Sequence, residues 1–315
     1  MINEVVPKVF PVFLLILLGI VIRKKSILTE SSIEDIKKII INLVLPCVLY
    51  FSFVNLELKP SLIVLIAGMF LMCFLLLLLG IVLKPLKLAD SEYYPFLFTG
   101  FEFGMMGASF FGAVFGVDKV GYIGMVGLGH EFFIWFVFVT LLVSTRDGKS
   151  NIGATARSFI KSPVIIAILL GVFLNLTGIR DSIGDNLLVK PLYSAMHFIE
   201  QLVVPLILIV IGYGLEFKYI RIKSGLAVVI IRFCILIPAA LIINRWIIRE
   251  FLGLDALYEA AVFIFFILPP PFIIPIFMDK GSPKEQAEIN GVLVLYSLFS
   301  IIAFTGYYVF YSLSH

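Results

Sequence analysis

Glu102, His130, Glu131 and Arg232 are ionisable side chains set inside long apolar runs of this 315-residue chain. An ionised carboxylate in hydrocarbon is costly, so each glutamate must be paired, hydrated or protonated. A glutamate that takes up a proton beside an anionic solute repels it when charged and admits it when neutral, which couples the two. The same carboxylates suit a cation or a neutral solute, and a Glu131–Arg232 or Glu102–Arg232 pair is the structural alternative. The stretch His130-Glu131-Phe-Phe-Ile134 is not the zinc signature His-Glu-x-x-His, because Ile134 holds the second histidine's place. No metal site is expected there, and His130 reads as a core histidine. Successive helical residues point about 100° apart, so His130 and Glu131 need not touch. There is no nucleophile constellation and no phosphate loop. Neither an enzyme nor a cofactor is expected, beyond a proton or sodium as coupling ion.

A second signal is backbone chemistry. Residues 265–277 read FFILPPPFIIPIF, with Pro269, Pro270 and Pro271 inside an apolar run. Each interior proline removes an N–H and clashes with the preceding turn, at about 3 kcal/mol or more. Broken backbone at membrane depth is tolerated only inside protein or around a wet cavity. Residues 95–116, PFLFTGFEFGMMGASFFGAVFG, carry five glycines around Glu102. Single glycines and prolines are common in membrane helices. A proline triplet facing a glycine-rich segment at a matched place marks a binding site, where half-helix N-termini favour anionic groups.

The elements that position these residues follow from composition. The chain is 61% hydrophobic and 14% charged, with a mean hydropathy of +1.11, against roughly 25% charged in soluble domains. The fold expected is an all-α polytopic membrane protein. Apolar runs place about ten spanning helices near Val5–Ile22, Ile33–Phe53, Ser61–Leu83, Tyr94–Gly116, Val120–Ser144, Pro163–Gly178, Pro191–Leu215, Ser224–Ile243, Ala256–Met278 and Gln286–Tyr311. The first run lacks a basic lead and a small-residue cleavage site, and reads as a retained helix. Cys47, Cys73 and Cys234 fall in apolar runs and read as packing residues.

Residues 11–22, PVFLLILLGIVI, match residues 163–174, PVIIAILLGVFL, at six of twelve positions. Residues 42–53, NLVLPCVLYFSF, and 201–212, QLVVPLILIVIG, set Pro46 and Pro205 alike. Five helices per copy is an odd number, so the second copy enters the membrane from the opposite side. The expected arrangement is two inverted five-helix repeats, residues 1–145 and 163–315, joined by a short linker, 146–162, with broken helices crossing. Loops after odd-numbered helices hold roughly twice the lysine and arginine of the others, including Arg23, Lys24, Lys25, Lys87, Lys149, Lys218, Arg221 and Lys280. Lys37 and Lys38 add to that side, and Arg180 lies opposite. That bias places both termini extracytoplasmic.

These motifs resemble the auxin efflux carrier family, which includes plant PIN carriers and bacterial permeases; the likeness is to a short bacterial-type member. The segment LPPPFIIPIFMDKGSP (268–283) is similar to the family's ninth helix. Glu102-Phe103-Gly104-Met-Met-Gly107 is similar to its Asn-x-Gly-x-x-Gly crossover, and Glu131 to Trp135 to its Gln-x-x-x-Trp. Arg232-Phe233 with Pro238-Ala239 resembles its eighth helix. At two positions this chain has a carboxylate, Glu102 and Glu131, where the family usually carries an amide. The resemblance implies secondary transport of a small organic anion, auxin-like or malate-like, in the cell membrane. It implies a scaffold of helices 1, 2, 6 and 7, and a transport domain of helices 3–5 and 8–10 moving as an elevator. The solute carboxylate would bind at the crossing, near Glu102, Phe103, Gly104, Gly107 and Pro269–Pro271. Asn42, four residues before Pro46, has two readings of equal standing: with Pro46 it faces the site from the scaffold, or its amide bonds within its own bundle. Glu102, Glu131, His130 and Arg232 are the candidates for coupling. The partners implied are a solute, the bilayer and a second copy through the scaffold, with no nucleic acid. A cation/proton antiporter of the related crossover architecture is the competing reading.

Overall fold

The computed structural model of the chain describes residues 2–57, 59–86, 91–147, 157, 160–178, 189–215, 222–278 and 283–314. Lys87, Lys149, Arg180, Lys218, Arg221 and Lys280, which entered the orientation argument, lie outside the described residues, as does most of the linker, 148–156, 158 and 159.

Each expected segment carries helix, and there is no strand among the described residues. In chain order these are α1 (Ile2–Lys24), α2 (Glu30–Asn55), α3 (Leu62–Leu83), α4 (Tyr94–Phe115), α5 (Val117–Arg146), α6 (Pro163–Thr177), α7 (Lys190–Gly214), α8 (Gly225–Phe251), α9 (Ala256–Ile267) and α10 (Pro283–Ser314). Seven of the described helices, α2 to α5, α7, α8 and α10, are long and apolar enough to cross a membrane, while α6 and α9 are shorter apolar helices. The chain is an all-helical, multi-pass membrane protein. In the span Ala256 to Met278, expected to be broken at its prolines, helix stops at Ile267 and resumes only for the single turn Ile274–Phe277.

Local chemistry sets the boundaries. Thr29 accepts from the Ser32 amide and caps α2, whose first turns carry the exposed pairs Lys37–Glu34 and Lys38–Asp35. The π turn Ile40–Val44 runs up to Pro46, which has no N–H to continue the regular ladder. Asp255 caps α9 by accepting from Leu257 N at 3.0 Å and Tyr258 N at 3.3 Å.

Two helix pairs pack backbone to backbone, α1 on α7 and α2 on α6. A Cβ on Gly19 would collide with the Ile209 carbonyl, and one on Gly212 with the Ile16 carbonyl. A Cβ on Gly171 would lie 2.9 Å from the Tyr50 carbonyl. Small residues allow this approach in a membrane, where apolar burial alone does not drive helices together. Gly19 and Gly171 occupy the same place in the matched segments 11–22 and 163–174. Four residues after each, a side chain seals the partner helix: Arg23 Nη1 donates to the Tyr213 carbonyl at 2.9 Å. Asn175 Nδ2 donates to the carbonyls of Phe53, Val54 and Leu56 at 2.8, 3.0 and 2.7 Å. Val54 and Tyr213 are also equivalent when 42–53 is laid on 201–212.

The remaining helices form a second set of contacts, α3 along α5 and α8 along α10, with α9 against α5 and α8. α4 is the most buried of the seven spans. Cys47 and Cys73 are buried as expected of packing residues, whereas Cys234 is exposed on α8.

Candidate functional site

Both α4 and the end of α9 are interrupted, and the interruptions touch. In α4 a 3-10 turn, Tyr94–Phe98, gives way to extended backbone at Thr99. Helix resumes as the π turn Phe103–Gly107 and continues through Ala108–Phe115. Gly100 has φ +70°, and a Cβ there would lie 2.6 Å from the Pro271 ring. Only glycine meets both demands cheaply. On the other side, backbone beyond Ile267 is extended at Leu268 and passes through the three prolines. The Glu102 amide donates across the gap to the Pro269 carbonyl at 2.8 Å.

Breaking a helix frees carbonyls at its C-terminal end and amides at its N-terminal end. Arg232, fully buried on α8, takes the carbonyls: Nη1 donates to Leu97 at 3.0 Å, and Nη2 to Gly100 at 2.9 Å and Leu268 at 3.5 Å. Its Nε donates to the Tyr296 hydroxyl at 3.3 Å, and its guanidinium stands 5.0 Å from the Phe101 ring centroid. A cation at the negative ends of two helix segments is the favourable placement. The expected Arg232–glutamate pair is not formed: among the described residues no carboxylate bonds to Arg232. Its five donors suit a fan of carbonyls better than one carboxylate.

Glu102 takes the amides. Its Oε1 accepts from Met105 N at 3.3 Å, capping its own helix segment. Its Oε2 accepts from Phe272 N, beyond the prolines, at 2.7 Å. The crossing thus holds a carboxyl group of the protein's own at its donor end and a guanidinium at its acceptor end. Glu102 is half-buried, and Glu131 and Lys37 are within electrostatic range of it.

His130 fixes the first break from α5. Its Nε2 accepts from Phe101 N at 2.9 Å, which leaves the proton of the neutral ring on Nδ1. Nδ1 stands 3.3 Å from Glu131 Oε1 but off the line of a hydrogen bond. The two neighbours do approach each other, a contact that helical geometry permits without requiring it. Glu131 is 19% exposed and its Oε2 accepts from Trp135 Nε1 at 3.2 Å.

Of the site residues read from sequence, Glu102, Gly104 and Pro269–Pro271 lie at the crossing. Phe103 is buried and stacks on Phe265 with centroids 5.6 Å apart. Gly107 lets the Leu268 side chain approach, 3.0 Å from where a Cβ would stand. Pro46 is half-buried beside Leu45, whose Cδ1 is the atom nearest Gly104's missing Cβ, at 3.9 Å. Asn42 does not join the crossing; it is exposed and donates to the Lys38 carbonyl on its own helix at 2.8 Å. A four-residue step satisfies the amide locally, which an isolated Asn–Pro spacing could not reveal.

Three contributors escaped the sequence reading. Thr99 Oγ1 donates to the Cys73 carbonyl, Ser300 Oγ donates to the Ile267 carbonyl at 2.6 Å, and Tyr296 receives Arg232. Tyr296 and Ser300 are four apart on α10, a spacing that puts two polar groups on one helical face and was a readable signal. Among the described residues no three His, Cys, Asp or Glu side chains converge as metal ligands. Compared with known proteins, the chain matches no protein-family model and no curated protein.

Proposed function

We propose that this chain is a secondary active transporter of a small organic acid, coupled to protons. The observation that carries the reading is the direct hydrogen bonding of two interrupted membrane helices around Glu102. Backbone broken at that depth needs a functional reason, because an uninterrupted helix satisfies itself. In this reading residues 1–145 and 163–315 are inverted copies, and the paired roles of Gly19 with Arg23 and Gly171 with Asn175 support that symmetry. Helices α1, α2, α6 and α7 then form a scaffold, through which two copies would associate. Helices α3–α5 and α8–α10 carry the crossing as an elevator, in the manner of the auxin efflux carriers that the sequence resembles. The chain would sit in the cell membrane with both termini outside. Sodium is the other candidate for the coupling ion.

A second reading is favoured by one observation. Glu102 and Glu131 are both only partly buried by protein while Arg232 is committed to carbonyls. Two carboxylates without a guanidinium partner suit cation/proton antiport or carriage of a cationic or neutral solute. Purified protein in proteoliposomes separates these. The first reading expects uptake of labelled malate-like or auxin-like acids, driven by an inward proton gradient and lost in Glu102→Gln or Glu131→Gln. Cation-driven proton movement with no organic acid flux would overturn it in favour of the second.

A further inference from the structure

We propose that His130 is a positioning residue operated by a proton: its neutral ring holds the Phe101 amide at the break in α4, and a proton on Nε2 releases that amide in favour of an ion pair with Glu131. The inference goes beyond the transport reading and does not depend on it. Residues 100–102 are held from three directions. Arg232 on α8 donates to the Gly100 carbonyl at 2.9 Å, His130 on α5 accepts from Phe101 N at 2.9 Å, and Glu102 N donates to the Pro269 carbonyl at 2.8 Å. A guanidinium stays charged and peptide groups do not titrate, whereas an imidazole changes state within about pH 5–8. Of the three ties, the one through His130 is the one that a proton can undo.

The ring serves one partner at a time. Nε2 is the acceptor, so Nδ1 carries the proton, and that buried N–H has no hydrogen-bond partner. Glu131 Oε1 stands 3.3 Å from Nδ1 but off the bond axis, while the bond to Phe101 fixes the direction of the ring. When one proton from water adds to Nε2, the lone pair is gone and two donors, Nε2–H and Phe101 N–H, face each other. They must part. The ring, now a cation, turns Nδ1–H onto the Glu131 carboxylate, whose other oxygen Trp135 Nε1 keeps in place at 3.2 Å. A buried imidazolium needs such a partner, and the other groups around it leave that role to Glu131. On α4 the Glu102 carboxyl is occupied by Met105 N and Phe272 N, and on α8 Arg232 lies against Phe101 with its donors on carbonyls. Phe265 of α9 presents an uncharged ring, centroids 5.3 Å apart. The buried Cys73 thiol of α3 lies within electrostatic range of Glu131, and Lys37 on α2 is paired with Glu34. Loss of the tie frees the Phe101 amide and loosens residues 99–102, so proton uptake on α5 changes the shape of the crossing.

The test follows hydrogen exchange of the Phe101 amide in full-length purified protein from about pH 8 to about pH 5, corrected for the pH dependence of chemical exchange. Wild type is expected to lose about tenfold or more of its protection over that range. His130→Gln puts a carbonyl oxygen that does not titrate near the place of Nε2, and its Phe101 amide is expected to stay protected throughout. His130→Leu offers no acceptor and is expected to exchange about tenfold or more faster than wild type at about pH 8. Glu131→Gln removes the counter-charge and is expected to move the wild-type transition to lower pH. Nitrogen NMR of labelled histidine reads the ring directly. The chain has three histidines, and His197→Gln and His315→Gln assign the remaining signal, which is expected to report Nδ1–H alone at the alkaline end and a doubly protonated ring at the acid end. If a His130 variant does not fold, the wild-type exchange series and this ring signal still decide. Wild-type protection that does not change, a His130→Gln that follows the wild-type curve, or an unmoved transition in Glu131→Gln would each overturn the proposal. Glu102 is intact in His130→Gln, so loosening through that carboxyl would persist there and count against His130. No solute or flux enters the measurement, so failure of the transport reading leaves its outcome unaffected.

Discussion

Replacing Arg232 by methionine keeps most of the buried volume and removes the guanidinium donors that serve carbonyls at both breaks. The bonds to Leu97 and Gly100, at 3.0 and 2.9 Å, carry most of the effect. Those to Tyr296 and Leu268, at 3.3 and 3.5 Å, are long and count for little. A buried acceptor left unmade costs about 1–3 kcal/mol, so two carbonyls give roughly 2–6 kcal/mol. Relief of the buried guanidinium's desolvation offsets part of this, leaving about 3 kcal/mol, or on the order of a hundredfold in the folding equilibrium. Lysine keeps the charge but not the planar fork, and one ammonium serves carbonyls on both segments poorly; about half the loss is expected. An unfolding titration in mixed micelles measures both variants, with Tyr296→Phe as a control costing under about 1 kcal/mol. The reasoning fails if Arg232→Met lies within about 0.5 kcal/mol of wild type, or if lysine matches arginine.

Gly100→Ala should destabilise by about 1–3 kcal/mol through its positive φ, and by more through contact with Pro271. Gly178→Ala, at φ +68° with nothing within 4 Å, carries the strain alone. The difference between the two melting curves isolates the crossing contact, and equal shifts would show that the contact is slack. Asn175→Ala leaves three carbonyls at the end of α2 without their donor and should cost about 1–3 kcal/mol by the same titration. No change there would mean that water already serves those carbonyls.

The breaks were legible because their causes are local. Three prolines cannot continue a helix, and glycine at 100 permits the backbone turn that its neighbours do not. The spans were legible from hydropathy for the same reason. Partner choice was not. Arg232 is an ion, and the sequence invites pairing it with Glu131 or Glu102. The choice is made instead by which group lies within reach when α8 packs on α4, and that depends on the whole fold. Asn42 had two readings, toward the site or within its own bundle, and the carbonyl four residues back decides for a local bond. The helical step left a His130–Glu131 contact open, and their side chains converge to 3.3 Å.

Arg232 belongs to the second half of the chain, and two of the carbonyls it serves, at Leu97 and Gly100, belong to the first. During biosynthesis α4 therefore reaches the bilayer long before its partner has been translated. Until α8 arrives, those groups must stay near water or in the care of the insertion machinery. A full-length chain can finish its interior only late, and a ribosome that stalls before residue 232 leaves a product with an open wound at its centre.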